Sequence, residues 1–326
     1  MDKLSAFTNV KGKYQYRNVF GMDKAQFEKL FVHFEKQYKE NTIVEYEERK
    51  LTYSTNNNGL TARFKLIPDA RLRQYLHISI YYIRQYPTFD VLGWNIGKTK
   101  QEACKIVHQW FGLFIKSLDS CKVLPARDLK HLPEVVANLL GEGVVDEEEL
   151  DLIVDVTERE INRPRYNQKE KYSGKKKRHT VKNTIISTVC LVVLFLGKTH
   201  DGSTHDFTML KKDCPKEEVI DNQVFINGTL WGDLGYQGIL QLYEGLTVEI
   251  PYKRKRKSKN NPNPELTEEE KIYNRKVGST RVKVEHAIGG IKVSRVTSHT
   301  FRGRKKGWND DVMLVATALY NFKKLY

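Results

Sequence analysis

Three acidic residues stand apart from the rest of this chain by their settings. Asp155 is expected to end an apolar strand, after the run Leu152-Ile153-Val154. Asp233 sits in LWGDLGY (230–236), at the end of a short apolar segment and just before Gly235. Glu285 lies in RVKVEHAIGGIK (281–292), flanked by the apolar Val284 and Ala287. A carboxylate inside an apolar segment is costly unless it is paired or bound to a cation. Three such groups from separate elements, if they converge, offer oxygen-only anionic donors suited to a hard cation such as Mg²⁺. Two such ions about 4 Å apart can clamp an in-line phosphoryl displacement. One lowers the pKa of an attacking water or 3′-hydroxyl, and the other stabilises the leaving oxygen. Histidine or cysteine in the same places would favour zinc. A plainer reading also fits: acids near strand ends cap turns or pair with nearby Lys and Arg. The residue types alone leave both open.

The charge balance bears on which polyanion such a site would meet. Lys and Arg total 55 against 40 Asp and Glu, for a net charge of +15. An excess of that size in a chain with 40% apolar residues fits a folded protein with a polyanionic partner, usually nucleic acid. The excess is clustered. Residues 131–158 hold nine acidic residues and no Lys or Arg, whereas Arg163 to Lys182 hold nine basic residues and one Glu. Within that second segment lies YSGKKKRH, a basic turn with Lys175, Lys176, Lys177 and Arg178. A second basic stretch, KRKRKSKNNPNP at 253–264, reads as a loop containing Lys253, Arg254, Lys255 and Arg256. Both runs suit DNA backbone contacts, and both also suit solvated surface.

Other classes are excluded. Cys104, Cys121, Cys190 and Cys214 form no C-x-x-C pair and fit no zinc ribbon or finger, so they read as reduced thiols. The N-terminal residues show no apolar secretory core. The longest apolar stretch, 185–196, is too short to span a bilayer, which needs about 20 residues, and no membrane partner is expected. The expected location is the cytoplasm, on the nucleoid, in a prokaryotic cell, or the nucleus in a eukaryotic one.

The elements that must position these groups follow from periodicity. At roughly 150 residues per domain, 326 residues suggest two domains. Phe27, Leu30, Phe31 and Phe34 share one face of a helix over 23–38, and TNNNGL at 55–60 reads as a turn. A helix over 70–85 buries Leu72, Tyr75, Leu76, Ser79, Ile80 and Ile83, and ends before Pro87. Thr88 caps a short helix to Trp94, Gly97 marks a turn, and Thr99-x-x-Glu102 is a capping box that opens a helix from Lys100. Short helix, glycine turn and longer helix is the helix-turn-helix pattern. Lys100, Gln101, Lys105 and Gln109 point outward on its last helix and are types that read a major groove. A plain three-helix bundle has the same pattern. From Asp155 onward the order is strand, strand, strand, helix, strand, strand, helix, with a possible helix break at Gly278. That order is an α/β domain with a mixed sheet flanked by helices.

The second half resembles the DDE superfamily endonuclease domain of insertion-sequence transposases, close to the Harbinger type. The pieces that carry the resemblance are DLIVDVTEREINRP (151–164), YSGKKKRHTVKN (172–183), GSTHDFTML (202–210), LWGDLGYQG (230–238) and NRKVGSTRVKVEHAIGGIK (274–292). IRQYPTFDVLGWNIGKTKQEACKIVHQWF, within 70–116, is similar to the segment that precedes such domains. The resemblance covers about residues 70–326. It implies an RNase H-like catalytic fold over 131–326, with a basic insertion near 240–280, after a helix-turn-helix region over 70–130. It assigns residues 1–69 no role beyond a helical N-terminal region. It implies that Asp155, Asp233 and Glu285 are the catalytic, metal-binding acids, with two Mg²⁺ ions as cofactor and Mn²⁺ as a substitute. Arg281, Glu285 and Lys292 match three members of a Tyr, Arg, Glu, Lys signature, and Gly278 stands at the Tyr position. On that helix Arg281 and Lys292 suit phosphate contacts. His205 and Asp206 match a family motif and suit turn formation, with an outer contact to the site as the alternative. His286 points about 100° from Glu285 and is not expected to be a ligand. Trp231 is expected in the core.

The activity implied is that of a DNA transposase. It would bind terminal inverted repeats of double-stranded DNA, cut at the element ends and join the 3′-hydroxyls to target DNA, as a homodimer or higher oligomer. The alternatives are a domesticated sequence-specific DNA-binding protein without catalysis and a plain metal-dependent endonuclease.

Overall fold

Apolar spacing builds the first part of the chain into helices. The computed structural model describes residues 12–55, 66–141, 150–257 and 264–326. Residues 56–60 of the expected turn, 142–149 of the acidic segment and 258–263 of the basic loop lie outside the described residues. The helices α1 (Lys13–Phe20), α2 (Lys24–Thr55), α3 (Asp69–Gln85), α4 (Phe89–Ile96) and α5 (Lys100–Ser120) belong to one compact unit, Met1–Lys122 with Ser294–Val296 and Tyr326. Phe27, Leu30, Phe31 and Phe34 of α2 are buried, as expected of their i, i+3, i+4, i+7 spacing. The helix runs 17 residues past Tyr38, further than its apolar stripe. Its continuation is polar, rich in good helix formers and free of Gly and Pro, so propensity carries it where periodicity is silent.

The helix-turn-helix elements form as expected. The Thr88 side chain accepts from Val91 N–H, and Thr99 and Glu102 close both halves of a capping box. Gly97 between them has φ 69°, the left-handed region that a side chain resists. Ala103, Val107 and Trp110 are buried, and Lys100, Gln101, Lys105 and Gln109 are all exposed. Lys100 is paired with Asp90 of α4 at 2.9 Å.

The other unit comprises Val123–Val293 and Thr297–Leu325. Its elements are α6 (Leu132–Leu140), β1 (Leu150–Glu160), β2 (Tyr172–Ser173), β3 (Arg178–Thr188), β4 (Val193–Leu196), β5 (His200–Asp201), α7 (Asp206–Asp213), α8 (Lys216–Ile220), α9 (Gln223–Ile226), β6 (Gly228–Trp231), α10 (Ile239–Leu242), β7 (Thr247–Glu249), α11 (Glu268–Lys292), α12 (Arg295–Ser298) and α13 (Trp308–Leu325). The sheet order is β4-β3-β1-β6-β7. β3 runs antiparallel to both of its neighbours, β1 and β4, and β6 and β7 run parallel to β1. This is the RNase H-like arrangement. The short strands β2, β5 and β4 cover successive stretches of the outer edge of β3.

The core explains why β1 reads as a continuous apolar run. Ile153 packs on one face with Ile185, Trp231 and the stripe Val277, Val284, Ala287, Ile288 and Ile291 of α11, joined by Met313, Ala316 and Tyr320 of α13. Leu152 and Val154 point the other way and are equally buried, and α6, α7 and α9 pack against β4, β3 and β6. Trp231 is core, and its indole N–H donates to Asp151 Oδ1 at 2.6 Å. All four cysteines are free. Among the described residues, no helix is long and apolar enough to cross a membrane.

Two local expectations are corrected. Asp155 does not end its strand: β1 continues to Glu160, paired with β3 throughout. The apolar run stops at Val154 because pairing with β6 stops at Ile153, leaving β1 covered on one edge only. Gly278 does not break α11, which runs unbroken from its Thr267 capping box to Lys292. Van der Waals space around the Cβ position of Gly278 is open. Here glycine only adds freedom to the unfolded chain. Gly278→Ala is therefore expected to stabilise the protein, by up to ~1 kcal/mol, read as a higher denaturation midpoint. An unchanged or lower midpoint would show that the position needs its glycine.

Candidate active site

The register of two parallel strands brings the first two acids together. β1 and β6 last pair at Ile153 and Trp231. Asp155 and Asp233 each lie two residues beyond that pair, Asp155 within β1 where its pairing with β6 has ended and Asp233 just past the end of β6. Side chains two apart on a strand share a face. Asp155 thus shares the face of Ile153, the one that α11 covers. Asp233 has left the strand. It caps the short 3₁₀ turn Leu234–Tyr236, its Oδ1 accepting from Gly235 N–H at 2.7 Å. A Cβ on Gly235 would stand 2.8 Å from that same oxygen, so glycine is what lets the carboxylate cap the turn.

The helix supplies the rest by its period. Arg281 lies four residues after the buried Val277 and three before Val284, so it points at the sheet. Glu285 follows one turn later. The guanidinium Nη2 of Arg281 lies 4.0 Å from Asp155 Oδ2, 3.9 Å from Asp233 Oδ2 and 3.9 Å from Glu285 Oε1. Three carboxylates from three elements converge on one cation, and none is within direct hydrogen-bonding distance of it in these pairs. Arg281 Nε is buried without a hydrogen-bond partner, as is Tyr236 Oη.

Burial raises the Asp155 carboxyl to a pKa of about 6. The backbone N–H of Val156, donating at 2.8 Å, and then Arg281 oppose that rise. Asp233 and Asp206 add to it. Asp206 is thus part of the site's field. It opens α7 behind a His205 cap, and its Oδ1 accepts from Lys182 Nζ at 3.0 Å. Lys182 also donates to Thr204 O at 2.9 Å. Neither Lys182 nor Tyr236 is marked in the sequence by an unusual neighbourhood. Lys182 lay unremarked in the basic run, and Tyr236 in LWGDLGY.

Lys292 closes the stripe of Arg281 and Glu285. Burial lowers its ammonium pKa, helped by Lys176, and opposed by Asp155 and Glu158. Lys176 belongs to the β2–β3 hairpin, where Lys175, Lys176, Lys177 and Arg178 are all exposed. Arg178 pairs with Glu160 at 2.6 Å. Lys253, Arg254, Lys255 and Arg256 are exposed in irregular chain. That chain is anchored at its base, where Tyr252 N–H donates to Asn274 Oδ1 at 2.7 Å. His286 is exposed and is not drawn into the cluster.

The chain matches the DDE superfamily endonucleases over residues 154–321, just over half its length. It belongs to that family. This DDE endonuclease is 28% identical over 260 residues to the "Probable transposase for insertion sequence element IS702" of Microchaete diplosiphon. The alignment covers 78% of this chain and 82% of that relative. No solved structure matches it significantly.

The donor set of this DDE endonuclease fits the divalent metal ions that the family uses. The candidate ligands are all oxygen, anionic and held by separate elements. The guanidinium at their centre stands where compensating positive charge is needed. Among the described residues, no three acidic, His or Cys side chains are drawn close enough to form a ready ligand cage. Arg281 sits between the acids, and a metal ion would take its place as their counter-charge. The site is therefore tuned against its own ionised state when metal is absent. The folded state holds the Asp155 proton more tightly than an unfolded chain does. Stability falls as pH rises toward about 6, and above that the ionised group costs on the order of 3 kcal/mol. Asp155→Asn is expected to stabilise the metal-free protein by roughly 1–3 kcal/mol at pH 8 and by little near pH 4. Denaturation at the two pH values checks this. Equal destabilisation at both would show that the carboxylate is not strained.

Proposed function

We propose that this protein is a DNA transposase. It binds terminal inverted repeats, cuts at the element ends and joins the freed 3′-hydroxyls to target DNA. The observation that carries this reading is the equal two-residue offset of Asp155 and Asp233 beyond the last paired residues of β1 and β6, with Glu285 facing them across Arg281. Asp155, Asp233 and Glu285 would hold two Mg²⁺ ions, with Mn²⁺ able to replace them. When bound, such ions supply an activated oxygen nucleophile and charge stabilisation for the leaving oxygen. In the first reaction, water attacks phosphorus and the bond to O3′ breaks, leaving a 3′-hydroxyl and a 5′-phosphate. In the second, that hydroxyl attacks a target phosphate and the target's own O3′ departs.

The chain's side chains have separate tasks in this scheme. Arg281 turns from the carboxylates to the scissile phosphate, its planar fork matching two phosphate oxygens. Lys292 and the exposed Lys175, Lys176, Lys177 and Arg178 carry positive charge alongside, suited to the backbone on either side of the cut. Lys182 holds Asp206, so that a second carboxylate near Asp155 keeps its own counter-charge. Lys253, Arg254, Lys255 and Arg256 form a further basic edge. In the helical unit, the exposed face of α5 (Lys100, Gln101, Lys105 and Gln109) suits a major groove. Two ends must be cut and joined together, so the active form is at least a dimer.

The decisive experiment is cleavage of DNA carrying the gene's own flanking repeats, with wild type and Asp233→Asn, in Mg²⁺ or in EDTA. Metal-dependent cuts at the repeat ends, lost in the variant, are expected. Strand-transfer products separate a transposase from a plain endonuclease. Tight end binding by both proteins with no cut in any metal would instead establish a DNA-binding protein without catalysis. Alanine at Lys253, Arg254, Lys255 and Arg256 together is expected to weaken binding across all sequences. It should also flatten the slope of log affinity against log salt by up to ~0.9 per lost contact. An unchanged slope would remove that loop from the interface.

A further inference from the structure

The basic residues that follow β1 are organised at some distance from the carboxylates. Beyond Glu160 the chain leaves the sheet and runs beside a segment from the far end of the sequence. Ile161 bridges in parallel to Phe301, and Phe301 N–H donates to Glu160 O at 2.8 Å. Between the chain at 161–171 and that at 301–304 lies a groove of about 820 Å³. Arg163, Arg165, Lys171, Arg302 and Arg304 line it together with Tyr166, and no carboxylate does. It lies six residues along an extended strand from Asp155, ~20 Å away, and shares no lining residue with the candidate active site.

Two features show what this groove is shaped to hold. Arginines present planar forks that suit phosphate oxygens. Among them stands an aromatic face: Tyr166 is 71% exposed, with the Arg165 guanidinium 5.3 Å from its ring centre. A phosphate alone gains nothing from an exposed ring, whereas an unpaired base stacks on one, and base–aromatic stacking tolerates any sequence. The volume is that of a small-ligand site, room for roughly two or three nucleotides and far less than a turn of duplex.

We propose that this groove binds single-stranded DNA, two or three unpaired nucleotides. Their phosphates lie against Arg163, Arg302 and Arg304, and one base is stacked on Tyr166. This rests on the DNA reading of the catalytic unit and adds to it. Along duplex that stays paired up to the groove, at 3.4 Å per base pair, ~20 Å is about six nucleotides from the cut bond. The occupant is thus the frayed strand that flanks the scissile phosphate.

The test uses the full chain without metal, so that nothing is cut. Fluorescence anisotropy measures binding of a labelled six-nucleotide oligo-dT and, separately, of a labelled duplex carrying the repeat ends. Wild type is expected to bind both. Tyr166→Ala should weaken oligo-dT by about tenfold or more and duplex by less than threefold, while Tyr166→Phe should retain both. Arg304→Ala should weaken oligo-dT and lower its salt slope. Oligo-dT left unbound beside a bound duplex overturns the proposal. So does a Tyr166→Ala protein that binds oligo-dT as wild type does, or one that loses both ligands equally. Failure of wild type to bind the duplex would count against the transposase reading itself, a result distinct from any of these.

Discussion

Everything in the catalytic unit turns on keeping one carboxylate, Asp155, at the end of a fully buried apolar run. Leu152, Ile153 and Val154 have no exposed surface. The next residue carries a charge that burial would neutralise if nothing opposed it. Three things oppose it, in order of reach. β6 stops short, so β1 at Asp155 has a neighbour on one edge only. The next backbone N–H donates to the carboxylate. Arg281 brings positive charge from the helix packed above. These do not fully compensate, since the group's pKa still stands about two units above its ordinary value. A structural ion pair would be optimised further. An under-compensated acid beside two other acids is what a cation-binding site looks like when a protein side chain supplies its positive charge.

The same constraint orders the packing. Arg281 can reach all three acids only if α11 lies close along the sheet with Val277 and Val284 on either side of it in the buried stripe. The helix must then be continuous through Gly278, because a break there would rotate Val277 away from the stripe that positions Arg281. Glu285 is the outermost of the three, with its side chain 59% exposed. One acid is thus mostly buried, one caps a turn and one is largely exposed. As the proposed ligand set, they would keep two positions set by the backbone and leave the third open to solvent.

Much of this was legible in the sequence because it rests on local periods. The apolar face of α2 at Phe27, Leu30, Phe31 and Phe34, the capping box at Thr99 and the apolar run of β1 are all local patterns, and all appear where the sequence puts them. The three acids could be named from their apolar surroundings. Their convergence could not, because it depends on the register of β1 against β6, strands more than seventy residues apart. Registers of parallel strands leave no local trace. Lys182 and Tyr236 were hidden for the same reason: each enters the site through tertiary contact and not through its neighbours in the chain, whereas Asp206 was singled out with turn formation as its first reading and contact with the site as the second. The long polar half of α2 was missed for the opposite cause, since periodicity reports burial and that segment is held by propensity.

The placement of charge follows from these constraints as well. Positive charge next to the carboxylates comes from Arg281 and the partly buried Lys292 on one helix, and from Lys182, which is taken up by Asp206. Further cations there would compete with the metal for the same acids. The remaining excess lies where it cannot do so: on the β2–β3 hairpin, on the exposed chain at 253–256 and in the groove beyond Glu160. In the proposed reaction, a polyanion that spans this unit would therefore be held mainly by residues away from the cut bond. The local field at the bond stays close to what three acids and one movable guanidinium set. Binding strength and catalytic charge are separated in space, and a strongly basic protein can keep an acidic centre because of that separation.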